Sequence, residues 1–467
     1  MTTDNATTAF TYGWDTAFGI PVPDANEAIV DKESSPPDFN YAGSGFKLNS
    51  NFGNWQIANG GSGKNIRFSI PLVDVVLNYT NTGEVVKCPS GTAIMEVNMQ
   101  YVPHTTPANA TVPSKPMALK VNPTALSPEQ PAAVLVSLTL SKDVGTVSEA
   151  IIQEGLKDWL NGNLREFDHI FSVVDLNRMI DQKQWGFVTP NYTSYCFMDA
   201  DNLQDSVLGV LTMTGNRTGE KLDSQLSNNI IPSGSVAGFL VSQRRTLLDL
   251  VRPAIQQAYP GLNDENFLLD NSGTKLYLKD GVAVNIKPVV KNGSTYQPVL
   301  KQLSIEATGS ILTLQSYTET EVAAGITAQC TATNWYEIQL GTSSKGQTLK
   351  FVKSQPGDVV HHIHQSEGSI LTKLIIELVG AIALLILAVV TDGAALVVGG
   401  LIIGLIMGAD AIVPEAIKAV NTDDSPAIDL LLINAVNPIK WTASKDFKLN
   451  YASLNVSMQL GGNPLFT

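Results

Sequence analysis

The sequence predicts an α+β fold, because its strand-like segments occur in blocks and do not alternate regularly with helices. Four segments, residues 65–70, 93–101, 134–141 and 454–460, alternate apolar and polar side chains with a period of two. This alternation is typical of antiparallel strands that have one buried and one solvated face. Helical periodicity appears in two other segments, and a further run near the C-terminus is apolar on every side.

The strand-like segments each predict a buried face. In residues 93–101, Met95, Val97, Met99 and Tyr101 are predicted to face the core, and Glu96, Asn98 and Gln100 to face solvent. A register slip of one residue would bury these three polar side chains. In the later segments the predicted inward residues are Val134, Val136, Leu138, Leu140, Leu454, Val456, Met458 and Leu460.

Two amphipathic helices are predicted in the first 260 residues. Thr146 and Glu149 form a capping-box pattern, which is followed by an apolar stripe of Ile152, Leu156, Trp159 and Leu160. The second helix follows residue 234 and carries Phe239, Leu240, Leu247, Val251 and Ile255. Pro253 should kink or end this helix, and Arg244 and Arg245 are expected on its outer face.

The run from Leu374 to Ile412 is almost entirely apolar, and a helix that is apolar all round must be buried in protein or lipid. Its halves, 374–390 and 394–409, flank a Thr-Asp-Gly turn signal, which predicts two helices folded back on each other. Each half is shorter than the roughly 20 residues of a bilayer crossing, and Glu377 would be costly in lipid. We therefore expect protein to enclose this pair.

Composition restricts the class of protein. A chain of 467 residues has room for two or three domains. The net charge of −13 disfavours binding to nucleic acid and to anionic headgroups. Three widely spaced cysteines form neither a disulfide framework nor a zinc pattern. The first residues lack the pattern of a secretory signal, so we expect a cytoplasmic product and, if it is released, a non-classical route.

Motifs that carry chemistry are few. Residues 60–64, GGSGK, approach a phosphate-binding loop, but that pattern needs Gly at 58 and Ser or Thr at 65, where this chain has Ala58 and Asn65. They are interpreted as a Gly-rich hairpin turn. Asp199 and Asp201 are interpreted as a polar turn. The sequence therefore predicts no catalytic residues and no cofactor.

The only histidine cluster is His361, His362 and His364, just before the apolar run. A metal site would need a third ligand, and Glu367 is the only carboxylate nearby. A solvated turn without metal is predicted. A pH switch, in which protonated imidazoles promote release of the apolar pair, stays open as an alternative.

Several sequence words resemble a known family. They are TYGWDTAFGI at 11–20, FGNWQIANGGSG at 52–63, FDHIFSVVDLN at 167–177, LGVLTMTG at 208–215 and SVAGFLVSQRRTLLDLVRPAI at 235–255. These words are similar to the forty-seven-kilodalton protein family of clostridial neurotoxin gene clusters. The resemblance implies a TULIP-like (tubular lipid-binding) fold, in which strongly curved antiparallel sheets wrap long apolar helices. Period-two strands in both halves, each half with a helix that carries an apolar stripe, predict two modules, residues 1–260 and 261–467.

The resemblance implies a non-enzymatic accessory protein that holds a lipid or fatty acyl chain between sheet and helix, with other proteins of the same gene cluster as partners. The residues expected to contact lipid are Leu374, Leu378, Ile382, Leu385, Val389, Leu396, Leu401 and Leu405. An alternative hypothesis is a membrane-active toxin component that inserts the 374–409 hairpin. A third is a scaffold whose groove is filled by its own side chains.

Overall fold

The computed structural model describes residues 8–31, 35–103, 117–121, 131–164, 187, 190–343, 346–367, 373, 375–383, 396–398, 401–403 and 444–466. The protein is β-rich with few helices. In chain order, the strands are β1 (Thr16–Pro21), β2 (Asp38–Gly43), β3 (Phe46–Phe52), β4 (Gln56–Ser62), β5 (Asn65–Tyr79), β6 (Val85–Pro103), β7 (Met117–Val121), β8 (Ala133–Leu140), β9 (Pro190–Met198), β10 (Val207–Thr214), β11 (Ala237–Val241), β12 (Phe267–Leu269), β13 (Lys275–Leu278), β14 (Val284–Asn285), β15 (Val289–Lys291), β16 (Ser294–Tyr296), β17 (Val299–Thr308), β18 (Ile311–Ala323), β19 (Ile326–Ser343), β20 (Gly346–Gln365), β21 (Leu396–Val398), β22 (Leu401–Ile403), β23 (Ser444–Asn455) and β24 (Ser457–Phe466). The helices are α1 (Val22–Asp31), α2 (Thr146–Gly162), α3 (Gln243–Arg245), a π-helical turn (Thr246–Val251), α4 (Arg252–Ala258), the 3₁₀ turns Leu203–Asp205 and Asp264–Asn266, and a helix at 375–383.

The N-terminal sheet has seven antiparallel strands in the order β2-β3-β5-β6-β7, with β4 paired to β5 and β8 paired to β6. Two predicted strands, 65–70 and 93–101, lie within β5 and β6. Met95 and Val97 are buried and Glu96 is partly exposed, where it pairs with Arg67 at 2.9 Å. The predicted register of this strand is confirmed at these positions.

The predicted inner face of β8 is wrong in its first half. Ser137 lies opposite Ile94, but Leu135 lies opposite Met95, so Val136 is an extra residue in a β-bulge. The bulge turns Leu135 toward the core and leaves Val134 and Val136 exposed, at 45% and 43%. Period-two alternation continued through a bulge assigns the wrong face.

Helix α2 packs on the N-terminal sheet with the predicted stripe: Ile152, Leu156 and Leu160 are buried, and Trp159 packs against the core. It contacts both β2 and β8, which lie on opposite sides of the sheet order. The predicted capping box is wrong. The N-cap residue is Gly145, which makes no side-chain cap.

The central sheet joins distant parts of the chain in the order β23-β24-β11-β1-β10-β9. At one edge β9 contacts the N-terminal sheet, and at the other β23 contacts β19. Apolar side chains cover both faces of this sheet. One continuous core includes residues of all three large sheets, and a smaller cluster around Trp14 and Leu240 covers the opposite face of the central sheet.

Two predictions fail in the central sheet. Phe239 and Leu240 belong to strand β11 and not to the predicted helix, because this short run is buried on both faces between β1 and β24. Residues 454–460 are not one strand: β23 and β24 form a hairpin with Val456, at φ 70°, between them. Asn455, Ser457 and Gln459, expected to be wet, are buried.

The helical segment 243–258 buries Leu247, Val251 and Ile255 as predicted. The irregularity expected near Pro253 is present as the π-helical turn that ends just before α4. Arg244 is exposed, but the side chain of Arg245 is only 14% exposed and pairs with Asp249, so its predicted place on the outer face is wrong.

The C-terminal sheet has the order β12-β13-β17-β18-β19-β20, with β14 paired to β17. Its strands are antiparallel, and β19 and β20 form a long hairpin with register shifts near residues 333–336. A separate hairpin consists of β15 and β16. The C-terminal sheet supplies the surface on which the candidate site is built.

The apolar run departs from the predicted pair of helices. Residues 375–383 are helical, as predicted, but residues 396–398 and 401–403 are the antiparallel strands β21 and β22. The second predicted helix is therefore wrong at these positions, where the triplets Leu-Val-Val and Leu-Ile-Ile are rich in β-branched residues that favour strands. In the described part of the chain, no helix has both the length and the mean hydropathy needed to cross a bilayer.

Candidate functional site

Strands β18 and β19 build the floor of the candidate site. Their even-numbered residues, from Leu312 to Thr320 and from Ile326 to Ile338, are all buried on one face of the C-terminal sheet. The register places Leu312 opposite Tyr336 and Thr320 opposite Ala328. We call this surface of β18 and β19, together with the buried residues of β17, the inner face.

The middle of the inner face carries small side chains. Ala328, Cys330 and Ala332 occupy successive inward positions on β19, opposite hydroxyl residues of β18. Each of the three is at most 1% exposed, so this part of the inner face is fully covered. Burial raises the pKa of the Cys330 thiol to about 11, so the thiol is neutral at physiological pH.

A stripe of polar residues crosses this face. The polar stripe consists of Ser316, Thr318, Thr320, Asn334 and Tyr336, each at most 2% exposed. Thr318 donates to the Cys330 carbonyl at 3.5 Å, whereas the hydroxyls of Ser316, Thr320 and Tyr336 make no hydrogen bond in the described part of the chain. Burial and the neighbouring Tyr259 raise the pKa of Tyr336.

An apolar helix lies over the edge of the inner face. In helix 375–383, Val379, Ile382 and Ala383 are buried, and Leu378 packs against the same core. A Cβ added at Gly380 would lie 3.8 Å from His361 of β20, which places this helix directly on that strand. The exposed side of the helix carries Glu377, whose carboxylate lies 3.9 Å from the Lys373 ammonium.

The second element beside the inner face is the β21–β22 hairpin. The β21–β22 hairpin contacts α4 through β21 and the edge strand β20 through β22. Tyr259, at the end of α4, is buried, and its hydroxyl makes no hydrogen bond within the described residues. Helix 375–383 and the β21–β22 hairpin therefore both lie next to β20, at one edge of the inner face.

The predicted lipid-contact residues are only partly brought together. Leu378 and Ile382 lie on helix 375–383, and Ile382 is fully buried. Leu396 and Leu401 lie on β21 and β22. The other four, Leu374, Leu385, Val389 and Leu405, lie outside the described residues.

The other motifs noted in the sequence lie on strands and in turns outside the inner face. Residues 60–62 end strand β4, and residues 63–64 form the predicted hairpin turn into β5, with Ser62 paired to Asn65. Both carboxylate oxygens of Asp199 accept from the Gly60 amide at 3.0 Å, so Asp199 fixes that turn. His361 and its neighbours lie on β20 and not in a turn, and the described residues contain no group of metal ligands.

A charged cluster lies beside the π-helical turn. Asp249 lies 3.0 Å from Arg245, and Arg252 lies 3.2 Å from Asp264. Burial raises the pKa of Asp249 to about 6, although the two arginines act to lower it. The backbone carbonyl of Phe187 accepts from Arg245 at 2.9 Å, which fixes the cluster to the rest of the chain.

The polar stripe was missed by sequence reasoning, although a signal for it exists. Residues 312–320 alternate Leu, Leu, Ser, Thr and Thr with polar residues, so both faces of this strand look wet at its C-terminal end. Only the matching alternation of residues 326–338, with Ile, Ala, Cys and Ala at inward positions, indicates that this face is buried.

The architecture defines the chain as a β-rich protein of the fold seen in P47. The solved structure of P47 from Clostridium botulinum A2 matches with a TM-score of 0.70 and 17% identity, covering 98% of each chain. P47 of Clostridium botulinum E1 matches with a TM-score of 0.69 and 16% identity, covering 97% of this chain and 100% of the other.

Sequence comparison identifies the family. The family model described as OrfX-like, Protein OrfX2/OrfX3/P47, matches residues 11–462. Protein OrfX3 of Paraclostridium bifermentans is 33% identical, covering 97% of this chain and 98% of its own, and Protein OrfX3 of Clostridium botulinum (strain Kyoto / Type A2) is 29% identical over the same shares. The chain belongs to the OrfX-like family, which confirms the resemblance to clostridial toxin-cluster proteins.

Proposed function

We propose that this protein is a non-enzymatic lipid-binding accessory protein of a toxin-type gene cluster. It holds acyl chains in an apolar groove between the inner face of the C-terminal sheet and helix 375–383. The observation that carries the proposal is the pairing of an apolar helix with a buried sheet face whose central side chains are small, around Ala328 and Ala332. Ligand grooves are concave and mainly apolar, with a few polar groups.

We also propose a TULIP-like organisation. Helix α2 contacts the two outer strands β2 and β8 of the N-terminal sheet, as a helix enclosed by a curved sheet would. The central sheet lies between the N-terminal and C-terminal sheets and contacts both. We propose modules of residues 1–260 and 261–467, in which β23 and β24 of the second module join the central sheet beside β11 of the first.

The lipid contacts proposed for the groove start from Leu378 and Ile382 on the helix. Leu374, Leu385, Val389, Leu396, Leu401 and Leu405 extend the proposed contact set. Other proteins of the same gene cluster are the proposed protein partners. The net charge of −13 opposes docking on anionic surfaces, which favours capture of single lipid molecules over constitutive membrane attachment.

The test is lipid recovery from protein purified without detergent. Organic extraction followed by mass spectrometry should release acyl lipid from the wild-type protein. Ala332→Leu fills the centre of the inner face and should reduce the recovered lipid. Thr333→Leu, on the opposite face of the same strand, should leave it unchanged. Melting curves establish that both variants are folded.

Three results would count against the proposal. Lipid recovery that is equal in Ala332→Leu and Thr333→Leu would place any bound lipid elsewhere. Aggregation without detergent, combined with leakage of vesicle contents, would favour the membrane-inserting alternative for residues 374–409. A monodisperse protein that never yields lipid would favour the scaffold alternative.

A further inference from the structure

The polar stripe gives information about the polar end of the lipid. Ser316, Thr320 and Tyr336 are almost fully buried, and their hydroxyls make no hydrogen bond in the described part of the chain. Buried hydroxyls in native proteins are nearly always paired, because an unpaired one pays its full desolvation cost. They lie on the inner face, along which the groove is proposed.

The inner face provides no charge to balance an anion. Among the described residues, the buried positions of β17, β18 and β19 carry neither a basic nor an acidic side chain. Two basic residues lie at paired positions on the edge strand β20: Lys353, opposite Tyr336, is half-buried, and His361, opposite Cys330, is exposed. A phosphate or carboxylate placed along Ser316–Thr320 would therefore be desolvated without a buried counter-charge.

The spacing of the hydroxyls fits several neutral oxygens. Ser316, Thr318 and Thr320 project from one strand at alternate positions, and the ends of this set are about 13 Å apart. A single hydroxyl group could not reach all of them. A glycerol unit with ester carbonyls offers donors and acceptors to neighbouring hydroxyls of this row, which lie about 7 Å apart.

We infer that the ligand is a neutral glycerolipid, a mono- or diacylglycerol, whose uncharged polar end lies along Ser316, Thr318 and Thr320. This inference rests on the proposed lipid-binding function and deepens it. Anionic lipids of the same acyl composition are disfavoured at this site because they add a charge that the inner face does not neutralise.

The experiment compares two lipids that differ only in a phosphate. The full-length protein is incubated with phosphatidylcholine vesicles that contain labelled dioleoylglycerol or labelled dioleoyl phosphatidic acid, and the lipid that co-elutes with protein is measured. Wild-type protein should acquire dioleoylglycerol with about tenfold preference. The double variant S316A/T320V should lose about tenfold in dioleoylglycerol uptake and change little with phosphatidic acid.

Thr313→Val is the matched control, because Thr313 lies on the opposite face of β18. It should behave as wild type, and melting curves should show that all variants are folded. Equal uptake of both lipids, a preference for phosphatidic acid, or an unchanged double variant overturns the neutral-headgroup inference and leaves lipid binding intact. Uptake of neither lipid overturns the inference and the proposed function together.

Discussion

Replacing Thr320 by valine should stabilise the ligand-free protein. Thr320 is 1% exposed, and its hydroxyl makes no hydrogen bond within the described residues. A buried, unpaired hydroxyl costs roughly 1–3 kcal/mol. Valine has nearly the same shape and fills the same space, so the substitution removes this cost without opening a cavity. Small changes in packing around the new methyl group offset part of this gain. We therefore expect a net increase of about 1 kcal/mol in the free energy of unfolding.

Urea denaturation followed by circular dichroism measures this increase. The midpoint should rise while the slope of the free energy against urea stays constant, because the surface exposed on unfolding is unchanged. Thr313→Val on the opposite face is the control and should change the free energy of unfolding by less than about 0.5 kcal/mol. A destabilised Thr320→Val protein would refute the reasoning, because it would mean that the hydroxyl has a partner in the folded protein.

Three further predictions concern packing, titration and strand register. Gly238→Ala should prevent folding or cost roughly 3 kcal/mol or more, because the added Cβ would overlap the Ile230 carbonyl oxygen. Gly162→Ala, with open space around it, is the control, and equal yields of folded protein from the two variants would contradict this prediction. Burial raises the pKa of Asp249 from 3.8 to about 6, so its stabilising contribution is complete below about pH 4 and is lost as the pH rises through 6. Relative to Asp249→Asn, the free energy of unfolding of the wild type should fall by up to about 3 kcal/mol between these limits. A difference in urea midpoints that stays constant with pH would contradict this prediction. Val136→Thr should change the free energy of unfolding by less than about 0.5 kcal/mol, because Val136 is an exposed residue of the bulge. A larger loss would mean that Val136 is buried, as the sequence pattern predicted.

Much of the fold follows from periodicity where one face of an element is wet. The register of β6 at Met95 and Val97 and the stripe of α2 were predicted for this reason. Periodicity fails where both faces are buried, as in β11, because a short apolar run then has no wet side to define its period. It also fails at Val456, a β-branched residue with φ 70° for which no turn residue gives a signal.

The apolar run contains a hairpin signal that competes with its helical pattern. Its length favoured helices, yet two triplets, Leu-Val-Val and Leu-Ile-Ile, stand on either side of Gly399-Gly400. A Gly-Gly pair between β-branched segments is a hairpin signal, and the structure pairs Val398 with Leu401. Local β propensity therefore outweighs the general expectation that a long apolar run is helical.

The sequence of β18 alone does not indicate which face of this strand is buried, and the candidate site depends on that face. On β18, Ser316, Thr318 and Thr320 alternate with Gln315, Tyr317, Glu319 and Glu321, so polarity is similar on both sides. The neighbouring strand β19 shows which face is buried, because Ala328, Cys330 and Ala332 face inward. The β18 hydroxyls lie directly opposite these three residues and therefore face inward as well. Polar groups are thus held in the core by the register of the sheet and not by their own preference. Such groups reduce stability until a partner pairs with them, and a sheet that retains several in one row is suited to a ligand with neutral oxygens.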